Sequence, residues 1–220
     1  VGSFAKKRLE KAYLKREVEI LYAPTDTNKL RYLSKGKYYL SVARLVPEKN
    51  VDKIVKAFQK MPEKKLYVIG NGPMKEEIEK MAEGYKNIRI FGFLEENELR
   101  KIIGKSITMI GMCENEDFSM NFMESLAAGK PIISINPNRK SKKLEIGKSG
   151  VLIPEGNPKN IIEAVNYLTA DKAKKMRKEC EKKSKKFSIE NHVKKILEGL
   201  KLNDFDKNRE SNQNSNIQKS

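Results

Sequence analysis

From residue 37 onward, apolar residues gather in short runs, separated by stretches in which they return every three or four positions. The runs are "KYYLSVA" (37–43), "KLYVIG" (65–70), "NIRIFG" (87–92), "SITMIG" (106–111), "KPIISI" (130–135) and "SGVLI" (149–153). Their length and their β-branched content predict six strands. Between them, "VDKIVKAFQKM", "MKEEIEKMAEG", "ENELRKIIG" and "NFMESLAAG" carry the helical spacing. Strands alternating with helices imply right-handed crossovers and a parallel sheet. Nearly continuous apolar strands fit a sheet covered on both faces. The predicted fold class is therefore α/β: a Rossmann-like parallel sheet with helices on both faces.

The flanks read differently. Three further helical stretches follow, "NPKNIIEAVNYLT", "KAKKMRKECEKKSKK" and "SIENHVKKILEGL", the last with Ser188 placed as an N-cap. Residues 203–220 have almost no apolar content and are expected to be disordered. Residues 1–15 read as a basic amphipathic helix, and "VEILYAPTD" (18–26) as a strand that ends at Pro24. The predicted organisation is a linker and a helix from a preceding domain (1–36), a Rossmann-like domain (37–170), C-terminal helices (171–202) and a tail (203–220). A chain that starts at Val1 is expected to be a piece of a longer polypeptide.

Composition narrows the function classes. At 220 residues with 38% hydrophobic content, the chain suits one domain with tails. It holds no apolar run long enough to span a bilayer and no signal-peptide pattern. Cys113 and Cys180 form no CxxC pair or Cys/His cluster, so no metal site or disulfide scaffold is indicated and a reducing, cytoplasmic setting is expected. His192 stands far from any other candidate catalytic group and reads as a packing or surface residue. The net charge of +17 admits two accounts: solvated lysine, or attraction to an anionic surface. Nucleic acid fits poorly, because the excess is mostly Lys and aromatic residues are not interleaved with it.

In an open parallel sheet, ligands bind where the strand carboxyl ends meet their loops. The first exit, "ARLVPEKN" (43–50), brackets a turn with Arg44 and Lys49, two cations suited to a diphosphate. The second, "GNGP" (70–73), puts Gly70 and Gly72 at a tight turn where a ligand can approach the backbone. It lacks the spacing of GxGxxG or GxxxxGK[ST]. The third, "GFLEENEL" (92–99), offers Phe93 and Leu94 as a place to hold a base. The fourth is "ENEDFSMNFMESLAAGKPII" (114–133), with Glu116 and Glu124 on either side of a helix start near Ser119. Amides of Ser119, Met120 and Asn121 would face outward there, and the carboxylates can accept hydrogen bonds from vicinal hydroxyls. Each loop taken alone also reads as solvated charge, a tight turn or an ordinary acidic helix start.

Taken together, "RLVPEKN", "VIGNGP", "IRIFGFL", "EDFSMNFMESLAAGKPII" and "GKSGVLIPEGNP" resemble the C-terminal, donor-binding domain of GT-B glycosyltransferases. The group is the large retaining family with an E-x7-E motif (glycosyltransferase family 4, glycosyl transferases group 1), which includes mannosyl- and glucosyltransferases. The resemblance covers about residues 18–170, with "ILYAPTDTNKL" matching the family's linker. It implies transfer of a hexosyl group, mannose or glucose, from a GDP-, UDP- or ADP-linked sugar with retention of configuration and without a cofactor or metal. Arg44 and Lys49 would bind the pyrophosphate and Glu124 the ribose. Glu116 would touch the transferred sugar, Ser119–Asn121 the sugar and phosphate, and Phe93–Leu94 would flank the base.

The sequence departs from the family pattern in three places. Phe118-Ser119 stands for the usual Phe-Gly, which removes a residue free to take positive φ. Met112-Cys113 stands for a common Pro-Ser pair, and "NPNRKSKK" replaces a common glycine pair. Only one Rossmann-like domain fits the length, so the resemblance implies that this is the donor half and that an N-terminal acceptor domain of the same protein completes the site. It also admits a lipid-linked acceptor and a location peripheral to the inner face of a membrane. The contrasting expectation is a non-catalytic basic module for nucleic acid or anionic membrane.

Overall fold

The computed structural model describes residues 21–113, 119–136 and 145–199. Seven strands form one sheet: β1 (Tyr39–Val42), β2 (Leu66–Ile69), β3 (Ile88–Phe91), β4 (Met109–Gly111), β5 (Ile132–Ile135), β6 (Glu145–Gly147) and β7 (Gly150–Ile153). Their order is β3-β2-β1-β4-β5-β7-β6. Six pair in parallel, with register such as Leu40 opposite Tyr67 and Ile133 opposite Val151. The six predicted strands are these six. The seventh, β6, is a short antiparallel edge strand turned back onto β7.

Burial follows the two-residue period of a strand. Tyr39, Leu66, Val68 and Ile110 join one apolar cluster, while Leu40, Tyr67, Ile69 and Met109 join another on the opposite face. The first cluster takes the apolar side of α1 (Val51–Gln59), where Val51, Ile54, Val55 and Phe58 recur at helical spacing. It also takes α2 (Lys75–Ala82) and α5 (Pro158–Tyr167). The second cluster takes α3 (Glu96–Lys105) and α4 (Met120–Ala127). Two large buried polar side chains find partners: Tyr39 Oη shares its proton between the Val165 and Leu168 carbonyls, each at 3.1 Å. The Asn87 amide donates to the carbonyls of Phe58, Met61 and Lys64, which closes the end of α1.

Two more helices, α6 (Ala170–Lys185) and α7 (Ile189–Gly199), follow as expected. Ser188 Oγ accepts from the Asn191 amide at 3.3 Å, the predicted cap. The predicted strand over 18–26 is corrected for residues 21–24, which carry no strand; Thr25 makes only an isolated bridge to Ser188. His192 Nδ1 lies 2.9 Å from the Tyr22 carbonyl oxygen, a packing contact. The expected helix at 1–15 and the tail at 203–220 lie outside the described residues.

Residues 30–36 pack on the domain. Leu30 is buried, and the Leu33 amide donates to Gly104 O at 2.9 Å. Tyr32 takes Lys130 Nζ at 3.9 Å and the Arg177 guanidinium at 4.4 Å from its ring centre. Lys130 is 1% exposed and donates to the Ser34 carbonyl. Burial first, and the Arg177 charge second, lower its pKa from 10.5 to about 8. Below about pH 8 this lysine is charged in both folded and unfolded chains, so the cost of burying it is constant. Between about 8 and 10.5 the folded chain has released a proton that the unfolded chain still holds, so stability rises with pH. Relative to Lys130→Met, wild-type stability is expected to gain about 3 kcal/mol across that window. Urea titrations of both proteins check this, and a difference independent of pH would refute it.

Candidate functional site

Strand order reverses between β1 and β4: β2 and β3 continue to one side, β5 and β7 to the other. At such a switch point the loops after the two strands diverge and leave a crevice. Two adjoining clefts of about 170 and 320 Å³ open there, with Val42, Ala43, Arg44 and Asn121 lining both. Together they reach the size of a small-molecule site. A larger depression lined by Glu76, Glu79, Lys80 and Ile88 lies over α2 and β3, away from the switch point.

Each wall has a local cause. After β1, a single 3-10 turn (Pro47–Lys49) folds the loop back, and Asn50 takes φ 49°, the left-handed region that asparagine tolerates. The Asn50 amide donates to Met112 O at 2.8 Å, which fastens this loop to the end of β4. After β4, the chain starts α4 at Met120, with Ser119 at the N-cap. Asn121 Nδ2 donates to Val42 O at 2.9 Å, which holds the start of α4 against the end of β1. The first amides of a helix have no intrahelical acceptor, so they and the positive end of the helix dipole face the cleft.

The structure brings most of the predicted residues together. The smaller cleft takes Arg44, Lys49, Ser119 and Asn121, beside the free thiol of Cys113. Phe93 and Leu94 line the larger one, and Phe93 is 80% exposed. Arg44 is exposed and has no ion-pair partner among the described residues. Met120 is half exposed at the first position of α4 and is not among the lining residues of either cleft. Glu124 stands one turn past Asn121 on the same side of α4, half-buried. Burial raises its carboxyl pKa; Arg100 of α3 opposes the shift, and Glu96 reinforces it. Glu116 falls outside the described residues.

Two details refine the sequence reading. Ser119 has φ −96° and ψ 115°, extended backbone open to any residue, so the missing glycine imposes no strain there. Gly72 lies outside the described lining of both clefts. A Cβ on Gly72 would come within 2.4 Å of the Leu45 carbonyl oxygen, and one on Gly70 within 1.9 Å of that of Ala43. The backbone these glycines admit is the neighbouring loop of the same chain. One lining residue went unpredicted. Ser41, buried in β1, lines the smaller cleft, and its hydroxyl has no hydrogen-bond partner among the described residues. A lone polar residue inside "YYLSVA" was the available signal.

Comparison with known proteins follows the same lines. A family model described as "Glycosyl transferases group 1" matches residues 24–187. An uncharacterized glycosyltransferase of Methanocaldococcus jannaschii is 24% identical over 205 residues, which is 91% of this chain and 57% of that protein. The lipopolysaccharide core biosynthesis glycosyltransferase LpsE of Rhizobium meliloti is 20% identical over 174 residues, 74% of this chain and 51% of that protein. Among solved structures, HepE of Anabaena in complex with UDP and glucose superimposes with a TM-score of 0.74 at 14% identity, covering 91% of this chain and 62% of HepE. The chain thus spans little more than half the length of these proteins.

Proposed function

The chain belongs to the glycosyl transferases group 1, and on that premise we propose that it is the donor-binding half of a retaining hexosyltransferase that uses a nucleoside diphosphate sugar. One observation carries the reading: Arg44, Lys49 and the start of α4 converge on a single cleft at the sheet's switch point. Two cations and a helix N-terminus form a receptor for a diphosphate. Asn121 and Glu124 continue along one side of α4, which suits a ribose whose hydroxyls donate to a carboxylate. Phe93 and Leu94 offer an apolar shelf for the base.

In the proposed reaction the bond between the sugar's C1 and the diphosphate oxygen breaks, and its electron pair leaves with the diphosphate. An acceptor hydroxyl oxygen forms the new bond to C1 on the same face, and its proton passes to the departing phosphate. Arg44, Lys49 and the α4 amides stabilise the charge that gathers on the leaving group, with no metal invoked. Glu116 is assigned to the hydroxyls of the transferred hexose, mannose or glucose. The acceptor site is assigned to an N-terminal domain of the same protein. Solved neighbours hold UDP with glucose or with GlcNAc, which makes UDP the first donor base to test.

Thermal shift with UDP, GDP and ADP, each with and without its hexose, tests the reading on this chain. One nucleoside diphosphate is expected to raise the melting temperature by several degrees, and its nucleoside alone is not. If none of the diphosphates shifts it, the proposal fails.

A further inference from the structure

The densest charge in the molecule lies away from the cleft, on α6. Between Ala170 and Lys186 the chain places nine Lys or Arg against three Asp or Glu. The helix buries one side, with Ala173, Cys180 and Ser184 turned inward and α4 packed beside it. Helical spacing puts Lys175, Lys178, Lys182 and Lys185 on the opposite side as a single ridge, about 15 Å long at 1.5 Å per residue. All four are exposed.

Density and alignment separate this ridge from ordinary surface charge. Of the lysines elsewhere, several pair along their own helices or turns, such as Lys29 with Asp26, Lys56 with Asp52, Lys75 with Glu79 and Lys194 with Glu198. On α6, Asp171 pairs with Lys35 and Glu181 with Arg177 at the flanks, and the third acidic residue, Glu179, has no ion-pair partner among the described residues. The four ridge lysines have no carboxylate partner among the described residues. Like charges stacked at this spacing repel one another and cost stability unless an external anion answers them.

We propose that the α6 ridge is a docking surface for an anionic lipid bilayer. Three features select this partner. None of the four lysines lines a described cleft, and all four stand exposed on the outward side of the helix, where no described pocket encloses a small polyanion. No aromatic side chain on the ridge offers a base a stacking face. Lysine presents a point charge without bidentate geometry, which suits headgroups that rearrange laterally to meet it. Juxtamembrane lysines each add to the attraction toward a negatively charged leaflet, so a row of four holds a protein there reversibly.

Co-sedimentation with vesicles tests the proposal on the full chain. Vesicles of equimolar phosphatidylglycerol and phosphatidylcholine are expected to bind it, and pure phosphatidylcholine is not. Raising salt from about 50 to about 500 mM should weaken binding at least tenfold. The variant K175Q/K178Q/K182Q/K185Q should lose at least tenfold in affinity with its melting temperature unchanged. A matched variant, K60Q/K65Q/K86Q/K105Q, has the same net charge with the ridge intact and should bind nearly as wild type. Equal losses in both variants would mean that net charge alone drives binding and would overturn the assignment. So would ridge-dependent binding of a DNA duplex tighter than that of the anionic vesicles. The UDP thermal shift reports on the donor cleft separately, so either result stands without the other.

Discussion

In an Arg44→Ala variant, UDP is expected to lose half or more of its stabilising effect. For the wild type, ligand at one hundred times its dissociation constant adds about 2.7 kcal/mol, which for a chain of this size is a rise of about 5–10 °C. A charge-assisted hydrogen bond to a phosphate is worth about 1.5–3 kcal/mol, so its loss weakens binding roughly 10- to 150-fold. At the same UDP concentration the remaining stabilisation is about 0.3–1.4 kcal/mol, a melting shift of roughly 1–6 °C. The unliganded variant should melt within about a degree of wild type, because Arg44 is exposed and has no ion-pair partner to lose among the described residues. Lys182→Ala, on the α6 ridge, should leave the UDP shift intact. An undiminished shift in Arg44→Ala would remove the diphosphate from this cleft.

Glu124 extends the argument to pH. Burial holds its carboxyl above the ordinary glutamate range in spite of Arg100, so folding carries a cost at neutral pH that the protonated acid would avoid. The folded chain binds this proton more readily than the unfolded one; the penalty is therefore present above the folded pKa and fades as pH falls through it. Glu124→Ala should accordingly leave the unliganded protein as stable as wild type or slightly more so, while it weakens UDP. A carboxylate that accepts from ribose hydroxyls stops doing so once protonated. The affinity for UDP should thus begin to fall at a higher pH than an unperturbed glutamate would produce, and calorimetry across the acidic range reads that onset.

Much of this was legible in the sequence, and the reasons are local. A parallel strand buried on both faces is an apolar run whatever its neighbours are, so "KLYVIG" and "KPIISI" announce themselves. Strand β6 does not: Glu145–Gly147 has no such run and owes its pairing to the turn that returns it to β7. Residues 21–24 failed in the other direction, since apolar residues there precede Pro24 and form no ladder. The site was legible as loops, because cations and small residues cluster at strand exits. Its joints were not. Asn121 reaching Val42 and Asn50 reaching Met112 are contacts across 79 and 62 positions of sequence that no periodicity encodes.

Gly70 is such a joint, and replacing it is expected to damage both the fold and the cleft. It holds φ +151°, and a Cβ there would sit 1.9 Å from the Ala43 carbonyl oxygen. That oxygen cannot give way, because Ala43 N is bonded to Ile69 O at 3.1 Å and Leu45 N to Asn71 O at 2.9 Å, which tie the two strand exits together. Gly70→Ala must therefore push the β1 and β2 exits apart, at a cost of about 3 kcal/mol or more, or roughly 6–12 °C in melting temperature. Gly84 supplies the comparison: it holds φ +79°, and a Cβ added there would meet nothing within 4 Å, so Gly84→Ala carries backbone strain alone, about 1–2 kcal/mol. The two variants also separate in binding. Ala43 and Arg44 line both clefts, and Gly70 and Asn71 line the larger one, so spreading this joint displaces the guanidinium proposed to meet the diphosphate. Gly70→Ala should lose UDP affinity together with stability, whereas Gly84→Ala should lose only stability. Equal costs and equal UDP shifts in the two would show that the loops do not depend on this contact.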